Sequence, residues 1–164
     1  MSLVPVFAAA AAFLTLAAPV AAGAETTVIS KVLPLPLPVR DAAATVDAFH
    51  AALARGDAEA ALRFVADDAV VFEDGRVERT KAEYALHHAG ADAAFSKAVS
   101  TKRLSRTGQA GGDLALIASE SRTKGRFKGQ DVDRIMIEKM VLRRGSAGWR
   151  IVHIHWSSAQ PATE

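Results

Sequence analysis

The side chains with chemistry to offer concentrate near the C-terminal end of the chain. His153 and His155 form a His-x-His pair in the run Trp149-Arg-Ile-Val-His-Ile-His-Trp-Ser-Ser158, and Glu138, flanked by Met136 and Met140, lies in a similar run just before it. Imidazole beside a carboxylate can hold or move a proton near neutral pH, because His titrates there and burial lifts a carboxyl towards the same range. The same groups are metal donors. Imidazole with carboxylate suits zinc, and imidazole with the thioethers of Met136 and Met140 suits copper. His50 and His88, on helical stretches, and Glu73, at the end of a strand, could join them. The chain has no cysteine among its 164 residues, which excludes disulfides and thiolate zinc sites. No nucleophile elbow, phosphate loop or dinucleotide fingerprint occurs.

A hairpin must position the C-terminal group. If Gly145-Ser-Ala-Gly148 closes it, Arg144 faces Trp149, and regular counting pairs Leu142 with Ile151, Met140 with His153, Glu138 with His155 and Met136 with Ser157. Those eight residues from Met136 to Ser157 share one face, whereas Ile135, Ile137, Lys139, Val141, Val152, Ile154 and Trp156 share the other. Trp149 and Trp156 fall on opposite faces and read as packing residues. Neither face suits water, so one is expected under the helices and the other in an isologous homodimer. Ionisable groups among apolar neighbours suit a pocket better than a dry core. The expected ligand-binding set is His50, Glu73, His88, Glu138, Met140, His153 and His155, with His153 and His155 as the metal pair if copper or zinc is bound.

The rest of the chain supplies the frame. Asp41 is placed to cap a helix to Arg55, whose Val46, Phe49, His50 and Leu53 form one apolar stripe. Asp57 caps a short helix, Ala69 to Glu73 reads as a strand closed by Asp74-Gly75, and Thr80-Lys-Ala-Glu83 is a capping box. The helix it opens carries Tyr84, His87 and His88, and the i, i+4 relation to Tyr84 turns His88 inward. Gly90 interrupts it and Asp92 starts a last helical piece. From Val99 the period becomes two, with strands at 99–107, 114–124, 131–144 and 149–158. Helices first and strands afterwards predict an α+β fold with an antiparallel sheet around the helices.

Residues 1–24 are uncharged and Ala-rich and end Ala22-Gly23-Ala24, a signal-peptide pattern; Pro5 and Pro19 keep the apolar run short of a membrane span. Export to the periplasm or beyond is therefore expected, with no membrane anchor after cleavage. Residues 25–40, with three alternating prolines, read as a stiff extended linker, residues 41–158 as the domain, and 159–164 as a tail. The charge balance, 20 Lys+Arg against 18 Asp+Glu, is too even to argue for nucleic acid. The basic run Arg122, Lys124, Arg126 and Lys128 reads as a solvated face, with an anion-binding rim as the alternative.

The closing run Trp149 to Ser158, preceded by Met140-Val-Leu-Arg-Arg144, resembles the last hairpin of nuclear transport factor 2-like domains, closest to the branch holding SnoaL-like proteins and the association domain of calcium/calmodulin-dependent kinase. Phe49-His-Ala-Ala-Leu53, Arg55-Gly-Asp57 and Ala66 to Glu73 resemble that branch's opening. The resemblance spans Asp41 to Ser158 and implies a cone of curved antiparallel sheet over three helices, often dimeric, with a cavity between. It places His153 and His155 at or near the cavity wall, with Glu138 across the hairpin. The tyrosine and aspartate pair of steroid-isomerase relatives has no secure counterpart, since the one tyrosine, Tyr84, sits on a helix. This architecture hosts many activities, and three functions stay open: a pocket for a small polar or amphipathic molecule with His–carboxylate acid–base chemistry, a copper or zinc protein, and a non-catalytic dimerising or partner-binding module.

Overall fold

The computed structural model describes residues 35–162; the expected signal peptide and most of the expected linker lie outside them. The first helix, α1 (Leu37–Ala54), starts before Asp41, with Pro36 at its N-cap and no side-chain cap. Pro38 stands in the first turn, where a missing N–H costs nothing and a φ near −65° is already helical. The extended reading therefore fails from Leu37 onward, and Val39, expected in the linker, is 1% exposed and belongs to the core. The stripe on α1 packs as its spacing predicts, with Val46, Phe49 and Leu53 buried.

Asp57 caps α2 (Ala58–Leu62) by accepting from the Ala60 N–H at 2.9 Å. Strand β1 (Val65–Glu73) turns through Asp74 and Gly75, both at positive φ, into β2 (Arg76–Glu78). Such a pair of left-handed residues matches the twist of the strands it joins. The capping box of α3 (Lys81–His87) forms, with Thr80 Oγ1 accepting from the Glu83 N–H and a Glu83 carboxylate oxygen accepting from the Arg79 N–H. The break before α4 (Ala89–Ala98) falls at His88 rather than Gly90.

Four strands follow, β3 (Val99–Gly111), β4 (Leu114–Phe127), β5 (Gln130–Gly145) and β6 (Gly148–Ala159), each longer than the period alone suggests because tight turns replace the expected loops. Lys128 and Gly129, both at positive φ, close the β4–β5 hairpin. One six-stranded sheet results, ordered β2-β1-β6-β5-β4-β3. Its pairs are antiparallel except β1 with β6, which run parallel: the chain leaves β1 for four strands and two helices before returning beside it. The helices cover one face, and the core of Phe49, Tyr84, Ile117, Met140, Leu142, Ile151 and Ile154 lies between.

The β5–β6 hairpin departs from regular counting at one residue. Arg144 opposes Trp149 and Leu142 opposes Ile151 as expected, but Val141 opposes His153, Met140 opposes Ile154 and Glu138 opposes Trp156. Val152 is the extra residue of a β-bulge, and beyond it every side chain changes face. Ile154 and Trp156 turn inward with Glu138, while His153 and His155 turn outward beside Phe72, at ring distances of 5.0 and 6.2 Å. Both tryptophans end on the buried side.

Candidate functional site

Between the helices and the inner sheet face lies a cavity of about 400 Å³. Its apolar body comes from Leu53 and Ala54 of α1, Phe95 of α4, Val99 of β3 and Met136 of β5. Three polar groups interrupt that lining. In the wall of the sheet, Glu138 is 6% exposed, and one of its oxygens, Oε2, accepts from His50 Nε2 at 2.6 Å and from Trp156 Nε1 at 2.8 Å. The other oxygen, Oε1, is buried with no partner among the described residues. Burial pushes the Glu138 carboxyl upward, but the hydrogen bond and charge of His50, the Trp156 donor and the Arg106 guanidinium outweigh it and hold the group below the usual range. Trp156 is stacked on Phe49, 6.1 Å between centroids, so the indole that reads Glu138 is itself fixed by packing.

At a second point the end of β1 meets the start of α4, and Glu73 and Asp92 both line the cavity. Burial first, and then the negative charge of Asp92, raises Glu73 to about 7. Its Oε2 is buried with no partner among the described residues. Burial likewise raises Asp92, against the opposing effects of a hydrogen bond from Tyr84 and the charge of His88. The Tyr84 hydroxyl donates to Asp92 Oδ2 at 2.8 Å, and burial together with that carboxylate pushes the phenol far above its ordinary range, so it acts only as a donor. Behind this pair, His88 Nδ1 hydrogen-bonds Glu78, which is 3% exposed.

The third group sits at the β3 side. Arg106, bulged inward after Arg103, donates from Nε to Ser119 Oγ at 3.0 Å and from Nη1 to Asp47 Oδ1 at 2.6 Å. Arg103 donates to the same Asp47 oxygen at 3.0 Å.

Residues 42–161 match the family model of the SnoaL-like domain. The chain belongs to the SnoaL-like family. A candidate ketosteroid isomerase from Shewanella frigidimarina is 34% identical, with 76% of this chain and 100% of that one aligned and a TM-score of 0.70. An NTF2-like protein with a cystatin-like fold from Novosphingobium aromaticivorans shares 20% identity over 75% of this chain and 82% of its own, at a TM-score of 0.61. A candidate calcium/calmodulin dependent protein kinase II association domain from Xanthomonas campestris shares 21% over 75% and 89%, at 0.62. No curated protein matches the sequence.

Of the residues singled out in this SnoaL-like chain, the fold brings His50, Glu73 and Glu138 onto one cavity. His88 stands behind the wall, paired to Glu78. Met140 is wholly buried in the core and does not line the cavity, a correction that follows from its place opposite Ile154. His153 and His155 are corrected too: the Val152 bulge puts them on the outer face, so the imidazole beside Glu138 is His50, not His155. Among the described residues no three His, Asp or Glu side chains converge in a way that could hold a metal ion. The basic run is largely ion-paired, Arg122 and Lys124 to Asp133 and Arg126 to Asp131, which fits a solvated face.

Sequence reasoning missed Asp92, Tyr84, Trp156 and Arg106 as members of the site. Asp92 was visible as a carboxylate inside an otherwise apolar helix, a position that burial makes costly without a partner. Trp156 and Arg106 had no such signal, since each reaches the inner face only through a strand irregularity.

Proposed function

We propose that this SnoaL-like protein binds a small amphipathic organic molecule between helices and sheet and moves a proton on it, with Glu73 as the base. The observation that carries this reading is a carboxyl raised to about 7 on the wall of a largely apolar cavity, with a buried oxygen that has no partner among the described residues. A base is most effective when its pKa lies near the working pH. Asp92, held in place by Tyr84 and raised by burial, is the adjacent group able to exchange a hydrogen bond or proton with the same ligand. The His50–Glu138–Trp156 group is a preorganised polar contact further along the cavity.

The Shewanella relative makes enolisable ketones, steroidal ones included, the first compounds to test. In deuterated buffer the protein should accelerate loss of the α-proton NMR signal, with a rate that rises through pH 7 as Glu73 ionises. Glu73→Gln should abolish the acceleration while leaving binding intact. Binding without exchange across such a panel would favour the non-catalytic module.

Two further parts of the reading concern the whole chain. Leu116, Ile137 and Phe72 are exposed on the outer sheet face, which supports an isologous dimer through that face. Export rests on the signal-peptide pattern of residues 1–24. N-terminal sequencing of protein recovered from the periplasm or medium should begin at Glu25.

A further inference from the structure

Behind the Glu73 and Asp92 end of the cavity stands a buried acid that the proton-transfer reading leaves unused. Strand β2 puts Glu78 directly opposite the buried Val71 of β1, so its carboxylate occupies a core position and is 3% exposed. His88 Nδ1 hydrogen-bonds its Oε1, while Oε2 is buried with no partner among the described residues. Replacing a buried ion pair by apolar side chains of similar volume is often neutral or stabilising, so stability alone does not account for an acid here.

What His88 joins supplies a reason. Its backbone forms the junction of α3 and α4: the His88 N–H donates to the Tyr84 carbonyl at 3.0 Å, and the His88 carbonyl accepts from the Asp92 N–H at 2.9 Å. Tyr84 and Asp92 then meet again through their side chains, at 2.8 Å. A side chain anchored on β2 therefore fixes the junction from which both members of that hydrogen bond project. The imidazole also stands behind both cavity acids, where its charge opposes the effect of burial and outweighs that of Glu78. The other titratable groups facing Glu73 are Asp74 from its own turn, Asp92 from α4 and Tyr84 from α3, and none of them supplies a positive charge.

We propose that Glu78 and His88 are positioning residues for the proton transfer: the pair pins the α3–α4 junction so that Asp92 keeps its place on the cavity wall, and it sets an imidazole behind Glu73 so that Glu73 remains available as the base. The inference deepens the proton-transfer reading and rests on it. Neither residue lines the cavity or needs to touch the ligand.

The test follows α-proton exchange of 4-phenylbutan-2-one in deuterated buffer and, in parallel, the carboxyl carbon NMR resonance of Glu73, both from about pH 5 to about pH 9. The variants are His88→Gln and the double variant Glu78→Gln/His88→Gln, in which two amides can keep a hydrogen bond and neither charge is left buried alone. The midpoints of the rate profile and of the Glu73 resonance should move upward together, by about one pH unit in His88→Gln, so that exchange at pH 6 falls about tenfold while the high-pH plateau is kept. The double variant should move the same way but less, because it also loses the charge of Glu78. A lowered plateau with the midpoint in place would make the pair merely structural and overturn the inference, leaving Glu73 as the base. In the unaltered protein, which needs no variant to fold, the Glu73 and His88 resonances should each show a second inflection at the other's midpoint, and two independent single titrations would also overturn it. No exchange by the unaltered protein would instead remove the proton-transfer reading, and the inference with it.

Discussion

Single groups in this cavity make opposite contributions to stability, and pH separates them. Glu73 has a folded value of about 7 against an ordinary 4.5, so the folded state binds more protons between those values and stability falls as pH rises through that window. Glu73→Gln should therefore unfold at higher urea than the unaltered protein at pH 8, by about 1–2 kcal/mol once the group's partial exposure is allowed for, with no advantage near pH 4. Glu138 runs the other way: its folded value is lowered, so its contribution is present above the ordinary carboxylate range and is lost as pH falls through the depressed value. Tyr84→Phe removes the one donor that the Asp92 side chain has among the described residues and should cost about 1–3 kcal/mol in chemical denaturation, because a largely buried acceptor is left unpaired. These roles were partly legible in the chain. His50 on an apolar helical stripe and Glu73 at a strand end could be picked out by type and position, but the raised pKa of Glu73 depends first on burial that only the fold creates and then on Asp92, nineteen positions away and on another element.

At the scale of the element, the hairpin of β5 and β6 shows how one residue redirects chemistry. Alternation locates both strands and their turn from the sequence, and pairing is regular from Gly145 and Gly148 back to Leu142 and Ile151. Val152 then drops out of register, and the two histidines exchange faces with Ile154 and Trp156. Deleting Val152 would remove the extra residue and make the ladder continuous, with His153 still opposite Val141, Ile154 still opposite Met140 and Trp156 still opposite Glu138. Such a variant should keep a cooperative thermal transition, since Ile154 and Trp156 stay on the inner face; loss of the transition would show that the bulge itself is required for the hairpin's bend. A second contact is tighter. A Cβ on Gly125 would lie 2.9 Å from Val99 Cα and 3.1 Å from the Ala98 carbonyl oxygen, where α4 passes into β3. Gly125→Ala should lower stability by about 1–3 kcal/mol by forcing those backbones apart, as measured by the urea midpoint.

For the whole molecule, apolar groups on the outer sheet face and a cavity under the inner one keep the proposed dimer surface apart from the proposed binding site. Ile137→Glu should shift sedimentation from dimer to monomer, because the introduced charge would have to be desolvated in the proposed interface, and ligand affinity should be unchanged. The chain by itself determined the order of helices and strands, the caps at Asp57 and Thr80 and the family resemblance, because these depend on propensity, period and side-chain hydrogen bonds between near neighbours. Only the tertiary structure decided which histidine meets Glu138, which carboxyl is raised, and that Arg106 reaches the cavity. Each of those follows from bulges and from the meeting of distant elements, where a shift of one residue reverses a face while leaving the local pattern almost unchanged.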